Sequence, residues 1–479
     1  MSVQAPPPVS FSPWQRMLME RRAERARSVP YPPGHLDYSL ARTLRFARAP
    51  LPHLLDAYER FGPVFALRIM HVPIVFMLGP AANHYVLVSH AENFLWREGS
   101  LGDLIPLLGD GLLTTDGAYH RRARRILLPA FHRDRVLAAT GVMIEEAERA
   151  AEALRPGERI DVHRWTRELA LRVALRALFG VRPEGRDSEV AEQFERALSF
   201  YSQDYFRQLL RGPGSPFERL LRSRRRLDEL LYAEIAKRRA GGAHEGEDLL
   251  DLLLAARDED GRGFGDRELR DQLMTLLFAG HDTTTSTVTF LLYELARNPG
   301  ALERVYAEQD RVLDGRPPDG ADLHDGLPEL SMAIDETLRL YPPAWIGPRR
   351  SVEPFELEGV AVPGGVPVNY VSWASHRLPE VFPEPDAFRP ERFAPEVRAR
   401  LPKGAYVPFG GGSRMCLGMR FGELEVRAIA TALLRRRRLE LVPGRELSIR
   451  QMPTLSPRGG LPMTVRPRGV AELVAAAAR

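Results

Sequence analysis

The run "DRELRDQLMTLLFAGHDTTTSTVTFLLYELARNPG", Asp266 to Gly300, restricts the fold more than any other stretch. From about Arg267 to Arg297 no proline interrupts a helical pattern, with Asp266 expected as its cap and "NPG" as its stop. At 1.5 Å per residue such a helix spans roughly 45 Å, the width of a whole domain. The rest of the chain has to wrap around it.

The flanking sequence agrees. Helical patterns dominate from about Val136 to Leu340, among them "RVLAATGVMIEEAERAAEALR", "DVHRWTRELALRVALRALFG" and "SRRRLDELLYAEIAKRRA". "PVFALRIMHVPIVFMLG" (Pro63 to Gly79) reads as two strands around a turn at His71 to Pro73. After Pro342 the chain becomes Pro- and Gly-rich with short strands such as "VPVNYVSWAS", and a helix returns after Gly418. "GAHEGEDLLD" and "RDEDGRGFGD" read as polar connections. With no internal repeat and no long linker, the expected architecture is mainly α: one large α+β domain over residues 31–479, with a long central helix and a small β region. Residues 1–30 are expected to be a Pro-rich tail and a short helix at the surface rather than a membrane-docking element.

Composition narrows the classes. The formal charge of +4 on 479 residues is too small to imply nucleic acid, although nearly every basic residue is arginine. No run approaches the roughly 20 apolar residues of a membrane span, and the N-terminus lacks the apolar core of a signal peptide, so a cytoplasmic location is expected. One cysteine excludes a disulfide framework and a CxxC zinc site.

That cysteine, Cys416, lies in "FGGGSRMCLG", where four of ten residues are glycine. Thiolates ligate metals, and the helix expected after Gly418 would favour the anion through its N–H groups and dipole. Glycines let the backbone approach something flat and large, and the Arg414 guanidinium suits a carboxylate. A buried structural cysteine is the bland reading of the residue alone. The surrounding pattern, Phe-Gly-x-Gly-x-Arg-x-Cys-x-Gly, is not bland.

With this loop the chain resembles the cytochrome P450 family of haem-thiolate monooxygenases, of soluble bacterial type, and the resemblance runs from about Val64 to about Val465. It implies haem b (iron protoporphyrin IX) with Cys416 as the iron ligand and Phe409, Arg414 and Gly418 beside it. "AGHDTTT" (Ala279 to Thr285) resembles the family's oxygen-binding groove, with Ala279 small against the cofactor and Asp282 and Thr283 the catalytic acid–alcohol pair. No role is expected for His281, which should face solvent or a neighbouring helix. His120 and Arg124 match a propionate-binding pair, and Arg349, or its neighbour Arg350, another propionate contact. "ETLR" and "FRPERF" resemble a buried structural network of Glu336, Arg339 and Arg392. One departure is Gly422, where the family usually has alanine.

The implied activity is reductive activation of O2 and hydroxylation of a lipophilic molecule; no flavin or iron–sulfur segment is present, so ferredoxin and ferredoxin reductase are the expected electron donors. Arg121, Arg122 and Arg125, with "RRRR" (Arg435 to Arg438), are expected to form a basic docking face. Ser100 to Leu113, Leu276, Phe278, Pro343 to Gly347 and Gln451 to Leu455 are expected to line the substrate pocket. A peroxide-using or isomerase-like enzyme of the same fold is the alternative, disfavoured because such members tend to lose the acid–alcohol pair. A haem sensor would need no such pair, and a nucleic-acid binder has only arginine content in its favour. The chain is expected to be a monomer.

Overall fold

A computed structural model describes residues 13–25, 29–180, 186–203, 205–241 and 248–468. The helices that build the site are α1 (Gly117–Leu127), α2 (Arg133–Glu152), α3 (Val162–Phe179), α4 (Asp266–Arg297), α5 (Pro328–Leu340) and α6 (Met419–Arg436). The long helix is α4. Its side chains are buried on nearly every face from Leu269 to Leu295, because α3, α5 and α6 pack against it from different sides. A helix apolar all round is stable only inside such a bundle. Asp266 is its first residue rather than its cap. Gly265 holds that position, its N–H donating to the Glu268 carboxylate (3.0 Å).

The expected hairpin forms, Val64–Ile69 against Val72–Met77, with Val64 opposite Met77. Its turn falls at Met70 and His71, one residue earlier than expected, with Met70 in the left-handed region (φ 56°). The hairpin belongs to a six-stranded sheet in the order Gly34–His35, Val64–Ile69, Val72–Met77, Pro367–Tyr370, Gly347–Ser351, Phe94–Leu95. In "VPVNYVSWAS" only Pro367–Tyr370 is strand; Ser372–Ser375 turns into helix, where Trp373 Nε1 caps the Leu340 carbonyl (2.9 Å). A three-stranded sheet of Arg437–Leu441, Pro462–Pro467 and Arg159–Asp161 closes the other side.

Two polar connections also differ in part. Residues 242–247 of "GAHEGEDLLD" lie outside the described residues, but Asp248 ends the connection by capping a helix, Leu249–Ala255, with a reciprocal Asp251 bond. "RDEDGRGFGD" is a loop up to Gly265, as expected. The helix Pro13–Arg25 does not stand off as a separate tail. Glu20 pairs with Arg350, and Glu24 pairs with Arg68 of the hairpin. No helix among the described residues is long and apolar enough to cross a membrane.

Candidate active site

The Cys416 loop, α1 and the middle of α4 line one cavity of about 1540 Å3. Small-molecule pockets occupy ~300–1,000 Å3, so this one has room for a large prosthetic group and an organic guest together. Its walls include Ala279, Gly280 and Thr283 from α4, and Phe409, Arg414, Cys416 and Gly418 from the loop.

The loop takes its shape from glycine where nothing else fits. Gly412 has φ 59°, and a Cβ there would stand 2.2 Å from the Leu87 carbonyl oxygen. The Cys416 N–H donates to the Phe409 carbonyl (2.9 Å), which closes the loop and leaves the sulfur open to the cavity. Gly418 is the N-cap of α6, and its N–H points at the sulfur. That bond and the nearby Arg124 favour the thiolate, but burial outweighs them and pushes the thiol above its ordinary pKa. Of the help expected from the start of α6, the Gly418 N–H is present and is outweighed; a metal cation bonded to the sulfur would favour the thiolate.

The same cavity collects cations. His120 and Arg124 lie one turn apart on α1; burial, with Arg414 and Arg124 nearby, holds the imidazole neutral at a pKa of about 3. Arg349 is buried, its guanidinium 3.7 Å over the Trp96 ring, and burial lowers its pKa to about 10. Arg414 shares that ring from 5.0 Å and pairs with Asp116 (2.5 Å). Arg124 and Arg349 have no carboxylate partner among the described residues. Arg349 is buried and Arg124 half-buried, and desolvated cations left unpaired are costly, so this wall suits an anionic group. Arg350, by contrast, is spent on Glu20 and the Gly365 carbonyl (2.7 Å). A cavity-facing thiol, a glycine-lined approach and two unpaired arginines fit haem b with its carboxylates.

Across the cavity, α4 continues through "AGHDTTT" as unbroken α-helix. Three hydroxyls of α4 bond back within the helix: Thr283 Oγ1 donates to the Ala279 carbonyl (2.7 Å), Thr285 to His281 (2.8 Å) and Thr287 to Thr283 (2.9 Å). A Cβ on Gly280 would meet no protein atom within 4 Å, so that side of the helix is open space.

Asp282 and Thr283 point to different places. Thr283 lines the cavity, whereas the buried Asp282 carboxylate turns off it, accepting from Thr454 (3.0 Å) and lying 3.8 Å from Arg167. Thr454 does line the cavity. Of the two settings expected for His281, it takes the second: it is fully buried against neighbouring helices. It contacts Glu195 (3.2 Å) and the Arg167 carbonyl (3.1 Å). Burial of Glu195 is outweighed by His281 and Arg167, which bring its pKa down to about 2.

The sequence reading missed several groups at or behind the cavity wall. Trp96 and Asp116 had no motif; Asp116 also accepts from the Trp96 and Arg97 N–H groups (3.0 and 2.8 Å), tying that turn to the cysteine loop. Glu425 of α6 is buried, accepts from Thr284 (2.9 Å) and borders the cavity; burial raises its pKa to about 8. A lone glutamate on an apolar helix face, in "GELEVRAIATALL", was the available clue. Of the expected pocket segments, Leu276, Phe278 and all of Pro343 to Gly347 line the cavity, while Leu107, Leu108 and Leu455 turn into the core.

The expected structural network forms outside the cavity. Arg339 donates to both Glu336 oxygens (2.7 and 2.8 Å), Arg392 approaches at 3.4 Å, and all of Glu336 and Arg339 is buried. Arg339 also holds the His376, Pro385 and Ala387 carbonyls, so it ties α5 to the segment that leads into the cysteine loop.

A lone thiol and a helix hydroxyl lining one cavity, in a helical bundle with a small sheet, are the arrangement expected of a haem-thiolate enzyme. The cytochrome P450 family model matches residues 41–462, and the chain belongs to that family. It is 35% identical to cyclooctatin synthase of Streptomyces melanosporofaciens, over 91% of this chain and 95% of that one. It is 36% identical to the same organism's cyclooctat-9-en-7-ol 5-monooxygenase, over 91% and 93%. Among solved structures it resembles a retinoic acid-bound cyanobacterial CYP120A1, with TM-score 0.83, 29% identity and coverage of 92% and 100%. The P450DA haem domain has TM-score 0.81 at 27% identity, covering 92% and 98%. The protein is a cytochrome P450 monooxygenase that uses haem b.

Proposed function

We propose that the protein hydroxylates a lipophilic, terpenoid-like molecule carrying one polar group, with electrons from a separate ferredoxin system. One observation carries this: Cys416, Thr283 and a large apolar wall share a cavity with two cations that lack carboxylates. The relatives support the substrate class, since one is named for an unsaturated cyclic alcohol and a structural neighbour holds retinoic acid.

Cys416 would hold the haem by its sulfur, with Phe409, Gly418 and Ala279 lining the same cavity. Arg124, Arg349 and Arg414 would hold its carboxylates, with His120 available as a neutral donor. Haem, when bound, supplies the activation of O2 and the insertion of one oxygen into a C–H bond. The residues meter protons and keep bulk water out. Thr283 Oγ1 is the hydroxyl that moves a proton at the cavity wall. Asp282 reaches the cavity through Thr454 Oγ1, which donates to its carboxylate, while Arg167, itself paired with Glu195, links it toward the surface. Leu104, Ile105, Leu276, Phe278, Trp345 and Met452 are the apolar wall that positions the substrate.

The docking face needs revision. Arg122 is held by Asp258 and Glu268, Arg125 by Glu259, and Arg435 and Arg436 by Glu148. The cations left for an acidic partner beside the cysteine loop are the exposed Arg121 and Arg420, near exposed Met415 and Leu128. Raising ionic strength should slow reduction by the native ferredoxin.

The reading is tested by the spectrum of the reduced protein with carbon monoxide. The thiolate band is expected in the wild type and absent in Cys416→Ser. Terpenoid alcohols and acids should then shift the haem spin state on binding. No thiolate band, or no shift with any lipophilic ligand, refutes the corresponding part.

A further inference from the structure

Twelve large apolar side chains are exposed among the described residues, and four of them, Leu18, Tyr38, Leu40 and Leu44, fall near the N-terminal end. Leu40 and Leu44 are one turn apart on the helix Leu40–Arg48, so they form a stripe that faces outward. That helix is pinned to the hairpin turn by the Met70 N–H donating to Thr43 (3.0 Å). The helix Pro13–Arg25 lies alongside, with Arg21 5.9 Å from the Tyr38 ring.

This patch surrounds an opening. Leu44, Ala47, Met70, His71 and Met452 line the active-site cavity, and Leu44 and Met452 are themselves 38% and 47% exposed. The cavity therefore reaches the surface through an apolar rim.

The charge at the rim is one-sided. Its acids are consumed internally: Glu20 by Arg350, Glu24 by Arg68 and Asp37 by Arg42. Arg21, Arg22, Arg25, Arg45 and Arg48 are exposed, and none has a carboxylate partner among the described residues. An apolar stripe flanked by unpaired arginines matches an interfacial element that lies on a lipid surface.

Against the expectation for residues 1–30 from sequence alone, we propose that this face docks on an anionic lipid bilayer, seating the cavity mouth at the membrane. A lipophilic guest dissolved in the bilayer then enters without crossing water. The arginines supply attraction to anionic headgroups, and Leu18, Leu40 and Leu44 supply shallow insertion. The docking requires neither turnover nor any particular substrate, so it stands or falls separately from the proposed chemistry.

The test is co-sedimentation of the haem-loaded, full-length protein with vesicles of phosphatidylcholine alone or with added phosphatidylglycerol. Binding is expected only with the anionic lipid and should weaken with salt. An arginine at such a surface contributes about fivefold in partitioning, so Arg45→Gln with Arg48→Gln should reduce binding at least about tenfold. Leu18→Ser with Leu40→Ser should reduce it as well, with an unchanged haem spectrum and melting temperature confirming the fold. Protein that stays in the supernatant with every lipid overturns the proposal, as does a leucine variant that binds as tightly as wild type. A wild-type dimer in sedimentation velocity that the leucine variant converts to monomer also overturns it, because the patch then covers a second copy.

Discussion

Replacing Glu425 by glutamine should stabilise the protein, and by an amount that grows with pH. The carboxyl is buried on α6 with one hydrogen bond, from Thr284 (2.9 Å), and its other oxygen has no partner. Burial raises its pKa to about 8 from an ordinary 4.5, the Thr284 bond opposing. Between those values the unfolded chain has released the proton and the folded protein still holds it. Stability then falls by about 1.4 kcal/mol for each pH unit, fully retained below the unfolded pKa and lost by the folded one. Glutamine keeps the shape and an acceptor for Thr284, and removes the titration. The difference in unfolding free energy, Glu425→Gln minus wild type, should rise by about 3 kcal/mol from pH 5 to pH 7.5 and level off above pH 8. Every other group is common to both proteins and cancels. Urea denaturation of both holoenzymes, followed by circular dichroism at four pH values, measures it. A difference that stays flat with pH would mean that Glu425 is ionised in the folded protein, and the burial argument would be wrong.

Gly422→Ala should be neutral or stabilising by up to ~1 kcal/mol in thermal melts, since glycine is interior to α6 and its Cβ would meet nothing within 4 Å. Arg339→Leu should cost about 3–5 kcal/mol and much of the soluble yield, because Glu336 would be left charged and buried. Thr283→Ala should change stability by less than ~0.5 kcal/mol, its hydroxyl being bonded only to its own helix. Product formed per O2 consumed should nevertheless fall several-fold; unchanged coupling would remove Thr283 from proton transfer.

Motifs carried the cysteine loop because its constraints are local. Gly412 needs a left-handed backbone beside Leu87, and Cys416 must sit at the end of that turn, so both are legible as consecutive letters. The Glu336–Arg339 pair was legible for the same reason, three residues apart on one helix. Asp116, Trp96 and Glu425 were not, because what makes each matter comes from a distant segment: Arg414, Arg349 and Thr284 respectively. The docking face failed on the same ground. Arg122 and Arg125 look free in "HRRARR", but a loop more than a hundred residues later neutralises both.

The sequence alone determined the class of chemistry, through a glycine turn and a thiol whose geometry is set by neighbours along the chain. It also determined the long helix, whose uninterrupted pattern left no other conformation. Only the tertiary structure decided which charges are spent and which remain. Asp282 and Thr283 are adjacent in sequence, yet successive residues on a helix point about 100° apart. Packing by Thr454 and Arg167 on one side and open space on the other then turned Asp282 off the cavity and left Thr283 lining it.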